Sequence, residues 1–157
     1  MKQPADILWR ERTDQKLRFA KLHLDEMAAM EPGHGHDFER AHIEAILVQL
    51  VGAYETFRRE LIALSGRRNL VERLETLRND DTGWLGQLVA LRRAATHASG
   101  VPLEFYMGGK RHGQVALKHP DTLVPFPDCA ADTLEVWLAS LHTLFDDLRT
   151  ASTSGRR

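Results

Sequence analysis

The sequence is poor in the residues that mark a specialised scaffold. Cys129 is the single cysteine among 157 residues. It excludes an intramolecular disulfide and any cysteine-based zinc finger, and it fits a reducing compartment. No apolar run approaches the roughly 20 residues of a bilayer-crossing helix. The opening stretch MKQPADILWRERTDQK lacks the apolar core of a signal peptide. A cytoplasmic location without membrane association is therefore expected. An excess of charge is also missing: the formal net charge is −1. Contact with nucleic acid would thus need a local basic patch rather than a whole-molecule field. There is no internal repeat and no Walker A pattern, so Gly108 and Gly109 carry little weight as a nucleotide motif.

What remains is an ordinary globular balance, with 43% apolar and 27% charged residues, which argues against disorder over most of the chain. The length suits one domain, placed at residues 1–150, with 151–157 as a disordered tail.

Apolar residues recur at helical spacing in most of the chain. Leu17, Ala20, Leu24, Met27 and Met30 predict a helix over 13–30, stopped by EPGHGHD. Leu47, Leu50, Val51, Tyr54, Phe57, Leu61 and Leu64 predict a long helix over about 37–65, with Gly66 as its stop. NLVERLETLRNDDTG reads as a shorter helix ended by its Asn-Asp-Asp-Thr-Gly break, and WLGQLVALRRAATHAS as a fourth. VPLEFYMGGKRHGQVALKHP changes pattern and suits a small hairpin. Leu134, Trp137, Leu138, Leu141, Leu144, Phe145 and Leu148 mark a closing helix with Asp128 available as its N-cap. The expected fold is all-α: an up-and-down bundle of about five helices, with a short irregular or β-hairpin insertion before the last.

The stretch LRRAATHASG carries the chemistry. Arg93 and His97 are i and i+4 neighbours on one helix face, and Arg92 projects from the adjacent face. A guanidinium offers phosphate a fixed fork of donors, and an imidazole can move a proton near neutral pH. The plainer reading is that basic groups at a helix C-terminus complement its dipole, each contributing about 0.3–1 kcal/mol.

The order of long helix AILVQLVGAYETFRRELIAL, helical hairpin ending in LRRAATHASG, irregular segment and closing helix resembles the HEPN superfamily (higher eukaryotes and prokaryotes nucleotide-binding domains). Its motif is an arginine, four to six intervening residues and a histidine at a helix end, which Arg92 and His97 match. Arg93 stands where members often carry a small polar residue, and Ser99 where a toxin subgroup carries tyrosine. The resemblance covers roughly residues 37–150. It implies a homodimer in which two Arg/His motifs face each other, and a metal-independent endoribonuclease of toxin or defence type. Arg92 and His97 would be catalytic in such an enzyme, RNA its substrate, and a protein antitoxin or nucleotidyltransferase a candidate partner. No cofactor is implied. The alternative is a non-catalytic helical module binding RNA, a nucleotide or a protein.

Further side chains fit around this motif. Arg93, with Lys110, Arg111 and His112 of GGKRHG, would form a phosphate-binding patch, although a solvated turn explains GGKRHG as well. Glu55 is a candidate to orient an arginine, against the reading of an exposed helix carboxylate. HGHDFERAH supplies His34, His36, His42, Asp37 and Glu39, all of metal-ligand type. No second cluster completes a four-ligand set, so no metal is assigned.

Overall fold

A computed structural model describes residues 4–30, 36–65, 68–97 and 100–154. Within them run α1 (Ala5–Ala29), α2 (His36–Ser65), α3 (Arg68–Asn79) and α4 (Trp84–Ala95), then β1 (Leu103–Phe105), β2 (Val115–Leu117) and α5 (Ala130–Thr153). The expected all-α bundle with a hairpin before its last helix is what the chain forms.

α1 begins well before residue 13, the start that its apolar spacing suggests. Pro4 precedes it in an extended conformation, where a missing N–H costs nothing because the first N–H groups of a helix have no intrahelical partner. Ile7 and Leu8 are exposed, so no apolar stripe marks this first part. It is tied to α2 through Trp9, whose ring lies beneath the guanidinium groups of Arg12 and Arg59, at 5.0 and 4.9 Å.

α1 and α2 run antiparallel. Thr13 meets Thr56 at one end, with hydroxyls 3.0 Å apart, and His23 meets His42 at the other. α2 is the central element: Ile43, Ile46, Leu47, Leu50, Phe57 and Leu61 are all fully buried. Each such side chain contributes about 1.5–3 kcal/mol by leaving water. α5 lies parallel to α2, with Phe145 stacked on Phe57 at 4.0 Å and Arg149 reaching Glu60.

The hairpin pairs Leu103 with Leu117 and Phe105 with Val115 in antiparallel register. Val115, Ala116 and Leu117 are buried, so β2 fastens the insertion to the bundle. Two details of α5 differ from expectation. Its N-cap is Cys129, which makes no side-chain cap hydrogen bond; Asp128 lies one residue too early, because helical geometry starts at Ala130. The helix also continues past residue 150 to Thr153, with Ser152 buried and its Oγ donating to the Arg149 carbonyl at 2.7 Å. Gly66 and residues 155–157 lie outside the described residues.

Candidate functional site

The position of α4 is set at both of its ends. Before it, Asp80 Oδ1 accepts hydrogen bonds from the Thr82 N–H at 3.0 Å and the Thr82 hydroxyl at 2.7 Å. This local turn is the usual use of aspartate between helices. The two Thr82 bonds hold the Asp80 carboxyl below its ordinary pKa. Gly86 sits in the first turns of α4 against the Asp80 carbonyl; a Cβ there would lie 2.2 Å from that oxygen. Only glycine lets the helix start so close to the preceding turn.

The helix ends at Ala95, with Thr96 as its C-cap. His97 thus lies just beyond the helix instead of within its last turn. The Arg93 and Ala94 carbonyls are taken by Thr96, through its N–H and its hydroxyl, and by the His97 N–H. Backbone and Thr96 groups satisfy these carbonyls, and the basic side chains are not needed for it. The chain then crosses onto α2, where Arg40 donates to the Val101 carbonyl and Glu44 accepts from the Val101 N–H at 3.5 Å.

Along α4, Gln87, Ala90, Arg93 and Ala94 form one wall of a cleft of about 590 Å³, continued by His97. His119, Pro120, Asp121, Thr122 and Asp81 also line it. His119 is held firmly. Its ring stacks on Phe126 at 4.0 Å, its N–H donates to the Val124 carbonyl, and its carbonyl accepts from the Leu123 N–H. Leu123 takes a φ of 59°, a left-handed conformation that costs energy for a leucine and closes this tight loop.

One cleft is therefore lined by an arginine (Arg93), two histidines (His97 and His119) and two aspartates (Asp81 and Asp121). Arg93 and His97 are exposed, and Arg92 is half-buried and not among the lining residues. The expected catalytic pair, Arg92 with His97, is thus split: Arg93, expected to bind phosphate, is the arginine that lines the cleft with His97. His119 has no signal in the sequence: KHPD resembles any polar loop, and only the hairpin's return brings it to the cleft that α4 lines.

The other expected side chains lie elsewhere. Glu55 lines a separate cleft of about 340 Å³ with Tyr54, Arg58, Glu75, Arg78 and Asn79, where Arg58 pairs with Glu75 at 2.7 Å. Among the described residues, the two clefts share no lining residue. Lys110, Arg111 and His112 occupy the β1–β2 turn and do not line the Arg93/His97 cleft. The Arg111 guanidinium stacks on the Tyr106 ring at 4.1 Å and donates to its hydroxyl at 3.1 Å, and His112 Nδ1 accepts from the Gly108 N–H. These contacts bind the turn to itself.

The HGHDFERAH group is dispersed as well. The His36 ring packs on Phe105 at 3.8 Å, and Glu39 lines a groove with Met27, Met30 and Ile43. His42 turns toward α1, and His34 lies outside the described residues. Burial in that groove raises the Glu39 pKa, against a smaller lowering by His36.

No family model, curated protein or solved structure matches the chain.

Proposed function

We propose that the protein is a metal-independent endoribonuclease of HEPN type, acting on RNA at the Arg93/His97/His119 cleft. The observation that carries this reading is that Arg93, His97 and His119 line one cleft, bringing a guanidinium and two imidazoles to its walls. Those groups are the minimum for phosphodiester transfer without a metal: one base, one acid and one fixed cation. One imidazole takes the proton from the ribose 2′-hydroxyl as its oxygen attacks the adjacent phosphorus. The other gives a proton to the departing 5′-oxygen. Arg93 binds the phosphate oxygens while charge accumulates on them, with Arg92 flanking it from the next helix face. The products are a 2′,3′-cyclic phosphate and a free 5′-hydroxyl. The resemblance to HEPN proteins adds a homodimer in which two such motifs face each other, and a toxin or defence role with a protein partner that restrains it.

The test is cleavage of mixed single-stranded and structured RNA in EDTA by the purified protein, beside Arg92→Ala/His97→Ala and Arg93→Ala. Cutting by the wild type alone, with cyclic-phosphate ends, is the expected result. Absence of cutting by folded wild-type protein overturns the reading in favour of a non-catalytic binding module.

A further inference from the structure

A second group of side chains comes together between α1 and α2. His23 and Glu26 are separated by three positions on α1 and so share one face of that helix. His42 faces them from α2, only 9% exposed, with the edge of the Phe38 ring against it at 4.8 Å. The Nδ1 atoms of His23 and His42 are 3.3 Å apart, and Glu26 Oε2 is 3.9 Å from His42 Nδ1. One ligand atom from each residue falls within 4.8 Å of the others.

We infer that His23, Glu26 and His42 form a binding site for a divalent transition-metal ion of the zinc class. Metal–nitrogen bonds of about 2.0–2.1 Å in tetrahedral geometry place two ligand nitrogens about 3.3–3.4 Å apart. The two Nδ1 atoms already stand at that edge length. A hydrogen bond between the rings can also span it, with the Glu26 carboxylate at ion-pair distance from His42 alone. An ion engages all three groups. Two imidazoles and one carboxylate favour zinc, cobalt or nickel over magnesium or calcium, which prefer oxygen alone. Glu26 is 67% exposed, so it can close the remaining gap, and a water can complete the fourth position on the solvent side. The ion would clamp α1 to α2 at the end opposite the Thr13–Thr56 contact. None of the three residues lines the Arg93/His97 cleft, and the site is independent of the nuclease reading.

Calorimetric titration of metal-free protein with Zn²⁺ tests the site, with Co²⁺ as a spectroscopic probe. Wild type takes up one equivalent per chain, gains thermal stability with added Zn²⁺, and gives the intense visible absorption of four-coordinate cobalt. His23→Gln and Glu26→Gln each weaken Zn²⁺ binding by more than about 10-fold, the lower end of what loss of even an outer-shell partner costs. Both retain the wild-type circular dichroism and melting temperature in EDTA. The inference is overturned by wild type that binds no Zn²⁺, by the weak spectrum of six-coordinate cobalt, or by equal affinity in wild type and the variants. If His23→Gln fails to fold, the Zn²⁺ affinity of the exposed Glu26→Gln variant decides between these outcomes.

Discussion

The Arg149 guanidinium grips the Glu60 carboxylate through two bonds, Nε to Oε1 at 2.7 Å and Nη2 to Oε2 at 2.9 Å. Glu60 is wholly buried on α2, and Arg149 arrives from α5 with its side chain 13% exposed. Nη2 also donates to Asp14 of α1 at 3.2 Å. Three helices thus meet at one cation, which covers the Phe57 ring at 5.5 Å. Burial works against the charge on Arg149, but its bonds to Glu60 and the nearby carboxylates outweigh it and raise the pKa.

Breaking this pair from one side leaves a buried charge without its partner. Arg149→Met or Glu60→Ala is expected to cost about 3–5 kcal/mol in chemical denaturation. The double replacement Glu60→Leu/Arg149→Met should recover most of that loss, because no charge then stays buried. A double variant as unstable as either single one would show that the pair acts through packing alone.

In the cleft, His97→Ala and His119→Ala should each lower RNA cleavage by roughly 10²–10⁴-fold, the range for losing a positioned acid or base. His97 is exposed, so its replacement should leave the melting temperature nearly unchanged. Full cleavage by pure His119→Ala would remove His119 from the mechanism while leaving His97 in it.

Gly86→Ala tests how tightly α4 is positioned. Its new Cβ would meet the Asp80 carbonyl oxygen at 2.2 Å, so the turn or the helix must move. The expected penalty is at least about 1–3 kcal/mol, as for overpacking elsewhere, with lower nuclease activity because Gly86 lines the same cleft. Thermal melting and initial cleavage rates read the two effects separately.

Glu39 gives stability a pH dependence. Its folded pKa is raised by burial, so the fold favours the neutral carboxyl. Its contribution is fully present below the ordinary glutamate range and is lost as pH rises through the folded pKa. Glu39→Gln should therefore melt like wild type in acid and modestly above it at neutral pH. Equal melting at both pH values would show that His36 offsets the burial.

Much of the bundle is written in local order. Leu17, Ala20 and Leu24 on α1, and Leu134, Leu141 and Phe145 on α5, lie at the spacing that fixes which helix face turns inward, and all are buried. The Asp80–Gly83 break and the hairpin glycines are likewise short-range signals. The first part of α1 is not legible, since Trp9 is held by arginines from two helices, and the sequence places the start of α5 one residue early, since Ala130 begins a helix without a side-chain cap.

The helices, their buried faces and the nearness of both arginines to His97 follow from the order of residues alone, because each depends on positions within about one helical turn of one another; that Arg93 and not Arg92 lines the cleft does not. Packing of distant segments settles the rest: His119 lines the same cleft as Arg93 and His97, Glu55 and the GGKRHG turn lie apart from it, His42 turns to His23 and Glu26, and Glu60 meets Arg149. Those relationships join residues far apart in the chain. Their geometry follows from how the helices pack and where the hairpin returns, which no local spacing encodes.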